Sequence, residues 1–96
     1  MARFIMDNKM FDTETAEKLC EWSMQWEIYY SILGRNLYPH YDTTLYRTKK
    51  GNYFCVGLLD SGRLKAQLLS EEEAKSILMI HNYEKYCELY SPLEEG

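Results

Sequence analysis

The 96-residue sequence contains no long apolar run, no Cys-x-x-Cys pair and only two prolines. A helix that crosses a bilayer needs about 18 or more consecutive apolar residues, so a membrane-spanning protein is not expected. The N-terminal segment MARFIMDNKM is interrupted by Asp7, Asn8 and Lys9 before the apolar core of a signal peptide forms. These absences predict a soluble, cytoplasmic protein.

The cysteines are an odd number, and their separations of 35 and 32 residues match no zinc template. Such a set is typical of reduced thiols in a cytoplasm. Since Cys is among the most buried residue types, we expect these thiols in the core and predict no metal site. They are Cys20, Cys55 and Cys87.

The sequence also lacks a pattern for catalysis or for a cofactor. It shows no nucleophile, base and orienting group at a recognisable spacing, and no paired carboxylates. Its two histidines, His40 beside Pro39 and His81 near a predicted helix end, are typical of a loop and of a cap. We therefore expect no enzyme and no cofactor, and a function that depends on a surface.

What the sequence does contain is an excess of tyrosine. Nine Tyr, two Trp and three Phe bring the aromatic content to 15%. A Tyr side chain joins an apolar ring to a polar hydroxyl and suits interfaces. The length and the 46% of apolar residues predict one domain over residues 1–96, and the net charge of −4 disfavours overall attraction to nucleic acid.

Residues 43 to 59, TTLYRTKKGNYFCVGLL, predict a β-hairpin on which the fold is organised. A three-residue loop with glycine third, here Gly51, is typical of a type I turn closed by a left-handed residue. Such a loop sets Tyr46 opposite Phe54, and strand alternation then defines two faces. The face expected to be core carries Tyr46, Phe54, Val56 and Leu58, and the opposite, half-apolar face carries Leu45, Arg47, Tyr53 and Cys55.

Residues 17 to 33 match two templates, a strand and a helix, and both stay open. The alternation of apolar and polar residues slightly favours a long strand. The alternating residues are Cys20, Trp22, Met24, Trp26, Ile28 and Tyr30, whereas Leu19, Trp22, Trp26, Tyr29, Tyr30 and Leu33 have helical spacing before Gly34.

The rest of the chain predicts an α+β fold. Residues 3 to 11 indicate a small hairpin or an edge strand, residues 34 to 42 a loop, residues 60 to 62 a turn and residues 63 to 69 a strand. Ser70 and Glu73 form a capping-box pattern that begins a helix, and Asn82 precedes a second helix to Tyr90. We expect a small antiparallel sheet whose Tyr46/Phe54/Val56 face is covered by these C-terminal helices.

Three segments, FDTETA at 11 to 16, LYRTKKGNYF at 45 to 54 and LSEEEAK at 69 to 75, resemble a family of small uncharacterised proteins of gut Firmicutes and their mobile elements. The chain departs from that pattern at residues 22 to 43, which are aromatic rather than Gly/Asn-rich, and at GLLDSG after the hairpin. The family supplies no activity to carry over. Its setting on phages, plasmids and integrative elements implies an accessory role such as antagonism of host defence.

Two surfaces are candidates for binding. Tyrosines around the predicted loop are typical either of a cover over the protein's own core or of hot spots for a larger protein partner. The resemblance would make that partner a CRISPR nuclease or another defence protein, with an anti-CRISPR-like inhibitor as the result. The alternative is a nucleic-acid-binding accessory protein that uses a basic hairpin tip. The first set is Tyr29, Tyr30, Tyr38 and Tyr41; the second is Arg47, Lys49, Lys50, Tyr53, Arg63 and Lys65.

Overall fold

The computed structural model describes residues 3–59 and 62–90. Within these residues eight strands precede two helices, which confirms the predicted α+β class. Neither helix is long and apolar enough to cross a membrane. The elements are β1 (Arg3–Met6), β2 (Lys9–Asp12), β3 (Glu17–Gln25), β4 (Ile28–Tyr30), β5 (Arg35–Leu37), β6 (His40–Arg47), β7 (Tyr53–Leu58), β8 (Leu64–Leu69), α1 (Glu71–His81) and α2 (Tyr83–Tyr90).

The central hairpin has the predicted register. Strands β6 and β7 pair with Tyr46 opposite Phe54. The Thr48 amide donates to the Asn52 carbonyl at 2.8 Å, and Gly51 adopts a φ of 86°. Glycine takes this left-handed conformation without the steric penalty that a Cβ would bring, so the loop sequence determines the register.

Four antiparallel strands form the main sheet in the order β3-β6-β7-β8. The predicted strand at residues 63 to 69 is confirmed as β8. Between β7 and β8 the Leu59 amide donates to the Arg63 carbonyl at 2.8 Å, and Gly62 has a φ of 78°. The rest of the predicted turn, Asp60 and Ser61, lies outside the described residues.

The alternating segment is a strand, so the helical alternative is wrong. From Cys20 to Tyr30 every even-numbered residue is buried or half-buried and every odd-numbered residue is exposed. Before this run, a register shift between Lys18 and Cys20 places Leu19 and Cys20 both in the core. Period-2 alternation over eleven residues therefore outweighed the helical spacing.

The prediction of a loop over residues 34 to 42 is wrong in part. Strand β5 lies within it, and β6 already begins at His40. The Trp26 amide donates to the Pro39 carbonyl at 2.9 Å, so the β4–β5 pair continues the β3–β6 ladder past a short interruption. Gly34 and Pro39 gave loop signals because they bracket a strand of only three residues.

The C-terminal helices cover one face of the sheet, as predicted, but not the predicted face. Leu78 of α1 packs with Leu45 and Tyr53, which belong to the face expected to be half-apolar. That face is apolar because Arg47 lies at its end in an ion pair with Glu17 at 2.9 Å, and because Cys55 is fully buried.

The face expected beneath the helices is covered by the β1–β2 hairpin instead. Phe11 of β2 packs on Phe54 with ring centroids 5.2 Å apart, and Tyr46 stacks on the other side of Phe54 at the same distance. Leu58, predicted in this core, is half-exposed because it lies at the end of β7. Both faces of the main sheet are therefore covered.

The helix boundaries follow the predicted capping residues. The Ser70 hydroxyl accepts from the Glu73 amide at 3.1 Å, while the Glu73 carboxylate accepts from the Ser70 amide at 3.0 Å. The Asn82 side chain accepts from the Lys85 amide at 3.3 Å and donates to the Leu19 carbonyl at 3.0 Å. Asn82 thus begins α2 and also joins the helical layer to β3.

Candidate protein-binding arm

The four tyrosines predicted to contact a partner differ in exposure. Tyr29 and Tyr38 are exposed, Tyr30 is half-buried, and Tyr41 is buried in a cluster with Trp26 and Cys55. Tyr41 therefore covers the protein's own core, the other role open to this group of tyrosines, and is not presented at the surface. Its position in β6 opposite Met24 directs it to the core side of the ribbon.

Tyr29 and Tyr38 belong to a two-stranded extension of the main sheet, residues 26–39, which we call the arm. Strands β4 and β5 form the arm, with Tyr29 opposite Asn36, as a sheet of their own. Strand alternation divides it into two faces. The outer face, with the adjoining ends of β3 and β6, is exposed throughout and carries Gln25, Glu27, Tyr29, Asn36, Tyr38 and His40; the inner face carries Trp26, Ile28, Tyr30 and Leu37, all buried or half-buried.

The tip of the arm is apolar. The Leu33 and Gly34 amides both donate to the Tyr30 carbonyl, at 3.1 and 2.9 Å, and Gly34 has a φ of 66°. Ile32 is 97% exposed and Leu33 is 55% exposed. Turns normally carry polar residues, Gly or Pro, so two aliphatic side chains here have no role in the turn itself.

Ile32 and Leu33 were missed as site residues by the sequence reasoning. Leu33 was assigned to the helical spacing, and Ile32 was assigned to neither the helical nor the strand pattern. The signal that would have identified them is an aliphatic pair directly before Gly34, a position where a hairpin turn favours polar residues.

The base of the arm is fixed by Trp26. Its side chain is 2% exposed, and its Nε1 donates to Thr43 Oγ1 at 3.0 Å. The indole lies directly on Gly57, where an added Cβ would come within 2.7 Å of Cε2. Glycine at this position of β7 is what allows the ring to lie against the backbone.

Polar contacts on the outer face hold the two strands of the arm in register. The Asn36 side chain donates to Glu27 Oε1 at 2.5 Å, and the Gln25 side chain donates to the Tyr38 carbonyl at 3.1 Å. The arm carries only Glu27 and Arg35 as charged residues, so it is neutral in a chain of net charge −4.

The predicted basic surface is divided by the fold. Lys49 and Lys50 lie exposed at the turn between β6 and β7. Arg63 and Lys65 lie at the opposite end of β8, because the β7–β8 register places Leu64 opposite Leu58 and Leu69 opposite Tyr53. The expectation of one basic cluster is therefore wrong, since antiparallel strands send successive turns to opposite ends of a sheet.

The aromatic member of that surface is not accessible. Tyr53 is 7% exposed beneath the helices, and its hydroxyl is hydrogen-bonded to that of Tyr90, whose pKa is raised by burial and by this bond. Arg47 is paired with Glu17. The Tyr53 ring is therefore not available to stack on a base, whereas Arg47 stays partly exposed beside Lys49 and Lys50.

Glu17 joins the sheet to α2. Its carboxylate lies 2.9 Å from Arg47 and 3.2 Å from Lys85. Its pKa is lowered chiefly by the hydrogen bond to Lys85 and then, against the opposing effect of burial, by that to Arg47. A groove of about 560 Å³ lies beside this pair and the β6–β7 turn, lined among others by Thr15, Thr48, Lys49 and Lys50.

The groups that sequence reasoning weighed for chemistry stand apart from one another. Cys20 and Cys55 are buried, as predicted, whereas Cys87 on α2 is only half-buried. Burial raises the pKa of Cys20 to about 11 and that of Cys55 to about 12, so these two thiols are poor nucleophiles. His81 is exposed and stacks on Trp22, and His40 begins β6 rather than lying in a loop. The described part of the chain contains no group of three His, Cys, Asp or Glu side chains placed to hold a metal ion.

Comparison of the chain with protein-family models, with curated proteins and with solved structures finds no match.

Proposed function

We propose that this chain is a non-catalytic binding protein that attaches to a larger protein through the arm and acts by occupying its surface. The observation that carries the proposal is the exposure of Ile32 and Leu33 at the tip of a hairpin, with Tyr29 and Tyr38 on its outer face. Contiguous exposed apolar side chains mark interaction sites more often than chance surface composition does.

The arm suits binding because it is already ordered. Trp26 fixes its base and Asn36 joins its strands, so little conformational entropy remains to be lost on association. Complete burial of an aliphatic side chain contributes about 1.5 to 3 kcal/mol. Two aliphatic residues and two tyrosines then provide a small hot spot of the composition that protein interfaces favour.

The kind of partner follows from the family resemblance. Proteins carried by mobile elements commonly serve those elements, and we propose a host-defence protein in the cytoplasm, a CRISPR nuclease among them, as the target. The three cysteines are free, which suits a reducing compartment. Inhibition would be stoichiometric, since the proposal gives the chain no catalytic step.

A pull-down with matched variants tests the proposal. The tagged chain is incubated with a host lysate after nuclease treatment, beside an arm variant (Ile32→Ser, Leu33→Ser) and a control variant (Ile5→Ser, Met10→Ser). Ile5 and Met10 are an equally exposed cross-strand pair of the β1–β2 hairpin. One protein partner retained by wild type and control and weakened at least about 100-fold by the arm variant is expected.

The alternative function, nucleic-acid binding, would use Lys49, Lys50 and the partly exposed Arg47 at one end of the sheet. Recovery of nucleic acid alone, with an affinity that falls steeply as salt rises and that is lost in the Lys49→Gln, Lys50→Gln variant, would favour it over the arm. A partner captured equally by the arm variant would contradict the proposal that the arm is the binding site.

A further inference from the structure

The two edges of the main sheet differ in how they are protected. Strand β3 has an irregular register near Lys18, and its Lys18–Glu21 ion pair of 2.6 Å places charge along the edge. Bulges and edge charges are devices that prevent a sheet from adding strands. Strand β8 pairs with β7 over all six residues without irregularity and contains neither proline nor bulge.

The β8 edge is also apolar on one side. Leu64 is 47% exposed and Leu68 is 37% exposed, and Ala66 lies between them on the same face. Lys65 is the only charged residue of the strand. Ala66 is half-buried against Phe11 and Phe54, whereas among the described strands none pairs with the outer edge of β8. Such an edge with exposed leucines is a surface for another strand.

The sequence of the strand identifies which strand fits. Leu64-Lys65-Ala66-Gln67-Leu68 is symmetric in its apolar positions about Ala66. A twofold axis at Ala66 would set Leu64 of one chain opposite Leu68 of a second copy, and Lys65 opposite Gln67. Both leucine pairs are then buried across the strands and no like charges meet.

We propose that β8 pairs antiparallel with β8 of a second copy, which joins two four-stranded sheets into one of eight strands. The interface is isologous, as closed dimers require. Lys65 is exposed, and its ammonium lies 3.4 Å from the Glu27 carbonyl oxygen and 5.9 Å from the centroid of the Trp26 ring. This inference does not depend on the function proposed for the arm.

Charge changes at Gln67 test the register. The twofold axis gives two pairs in which residue 67 of one copy faces Lys65 of the other. In the full chain, Gln67→Glu turns each pair into a carboxylate opposite an ammonium, whereas Gln67→Lys turns each pair into two ammonium groups. Opposite-charge cross-strand pairs should tighten the dimer by about 2- to 30-fold, and like-charge pairs should weaken it by a similar factor. Repulsion between the net charges of the two copies has the opposite effect on the dimer, since Gln67→Glu changes the net charge from −4 to −5.

Sedimentation equilibrium provides the measurement. A shared ladder of five residues, Leu64 to Leu68, predicts a small, weak interface, so the chain is examined from about 10 µM to about 1 mM. Matched controls are Ser76→Glu and Ser76→Lys on the exposed side of α1, which change net charge equally without touching the edge. We expect the dissociation constant to fall for Gln67→Glu and to rise for Gln67→Lys. Both Ser76 variants should stay within about twofold of wild type.

A cross-link checks the twofold axis independently. Ala66→Cys in a Cys87→Ser background sets two thiols opposite each other within the Cα distance that a disulfide accepts. Oxidation with diamide should give a covalent dimer, and Ser76→Cys in the same background should not. Two results would overturn the proposal. One is that wild type and Gln67→Glu both remain monomeric at 1 mM; the other is that dimer affinity depends on the net charge in the same way for the variants at positions 67 and 76.

Discussion

The arm and the main sheet are two parts of one β-ribbon with opposite surroundings. In the sheet, β6 has a neighbour on each edge, and layers on both faces bury Leu45 on one side and Phe54 on the other. In the arm, β4 and β5 pair with each other, no other described strand joins their ladder, and the outer face and tip are exposed. Antiparallel pairing thus buries apolar side chains in the main sheet, which stabilises the fold. In the arm the same pairing leaves apolar side chains at the surface, and Ile32 contributes nothing to the core.

The largest effect on stability is expected at Phe54. Phe54→Ala removes a fully buried ring that contacts Phe11 and Tyr46 and leaves a cavity, which should cost about 3 to 5 kcal/mol. Thermal unfolding followed by circular dichroism measures it. Leu58→Ala, a half-exposed position on the same strand, is the control and should cost less than about 1 kcal/mol. Equal melting temperatures for wild type and Phe54→Ala would contradict the packing described.

The junction between the two regions should be next in size. Gly57→Ala would bring a Cβ within 2.7 Å of the buried Trp26 ring, and the overpacking should cost about 1 to 3 kcal/mol. Urea unfolding gives the value.

A double-mutant cycle identifies the cause of that cost. Trp26→Phe removes ring atoms that the new Cβ would meet, so the double variant should lose less than the sum of the single variants. Strict additivity would mean that Trp26 and Gly57 are not in contact, and the arm would then lack its rigid base.

A smaller, pH-dependent effect is expected at Glu17, which belongs to the sheet and not to the arm. Its pKa is lowered on folding, so its contribution to stability is full above the unfolded pKa and is lost as pH falls through the folded value. Because the carboxylate is 44% exposed, the contribution should remain below about 1 kcal/mol.

Comparison with Glu17→Gln isolates this contribution. Unfolding free energies of wild type and variant should differ at pH 7 and converge as pH falls below about 4. Glu14→Gln, at an exposed position outside the helices, is the matched charge control. A difference that persists unchanged at low pH would show that the ion pairs with Arg47 and Lys85 are not its source.

Local patterns in the sequence predicted much of the fold and only part of the site. Gly51 determined the hairpin register, the alternation from Cys20 to Tyr30 described the ribbon, and Ser70 located the start of α1. These signals act within a few residues. Which layer covers which face depends on contacts such as Leu78 with Leu45, far apart in sequence, and a period of two does not distinguish two apolar faces.

The short range of these sequence signals also explains why only part of the candidate site was predicted. Tyr29 and Tyr38 were candidates for a partner surface and are exposed, because strand alternation places them on the outer face of the arm. Tyr41 and Tyr53 have the same chemistry but opposite environments, which composition does not reveal. Lys65 was grouped with Lys50 by proximity in sequence, although the antiparallel turn at Gly62 directs it to the other end of the sheet.

The smallest effect on stability is expected at the tip of the arm. Ile32 is 97% exposed, so Ile32→Ser removes no buried area and should change the unfolding free energy by less than about 0.5 kcal/mol. Thermal unfolding beside Phe54→Ala provides the contrast between the two regions. A loss above about 1 kcal/mol would mean that the tip packs against the protein itself, and the reason to assign it to a partner would disappear. An unchanged stability combined with lost capture of a partner would separate binding from folding at one residue.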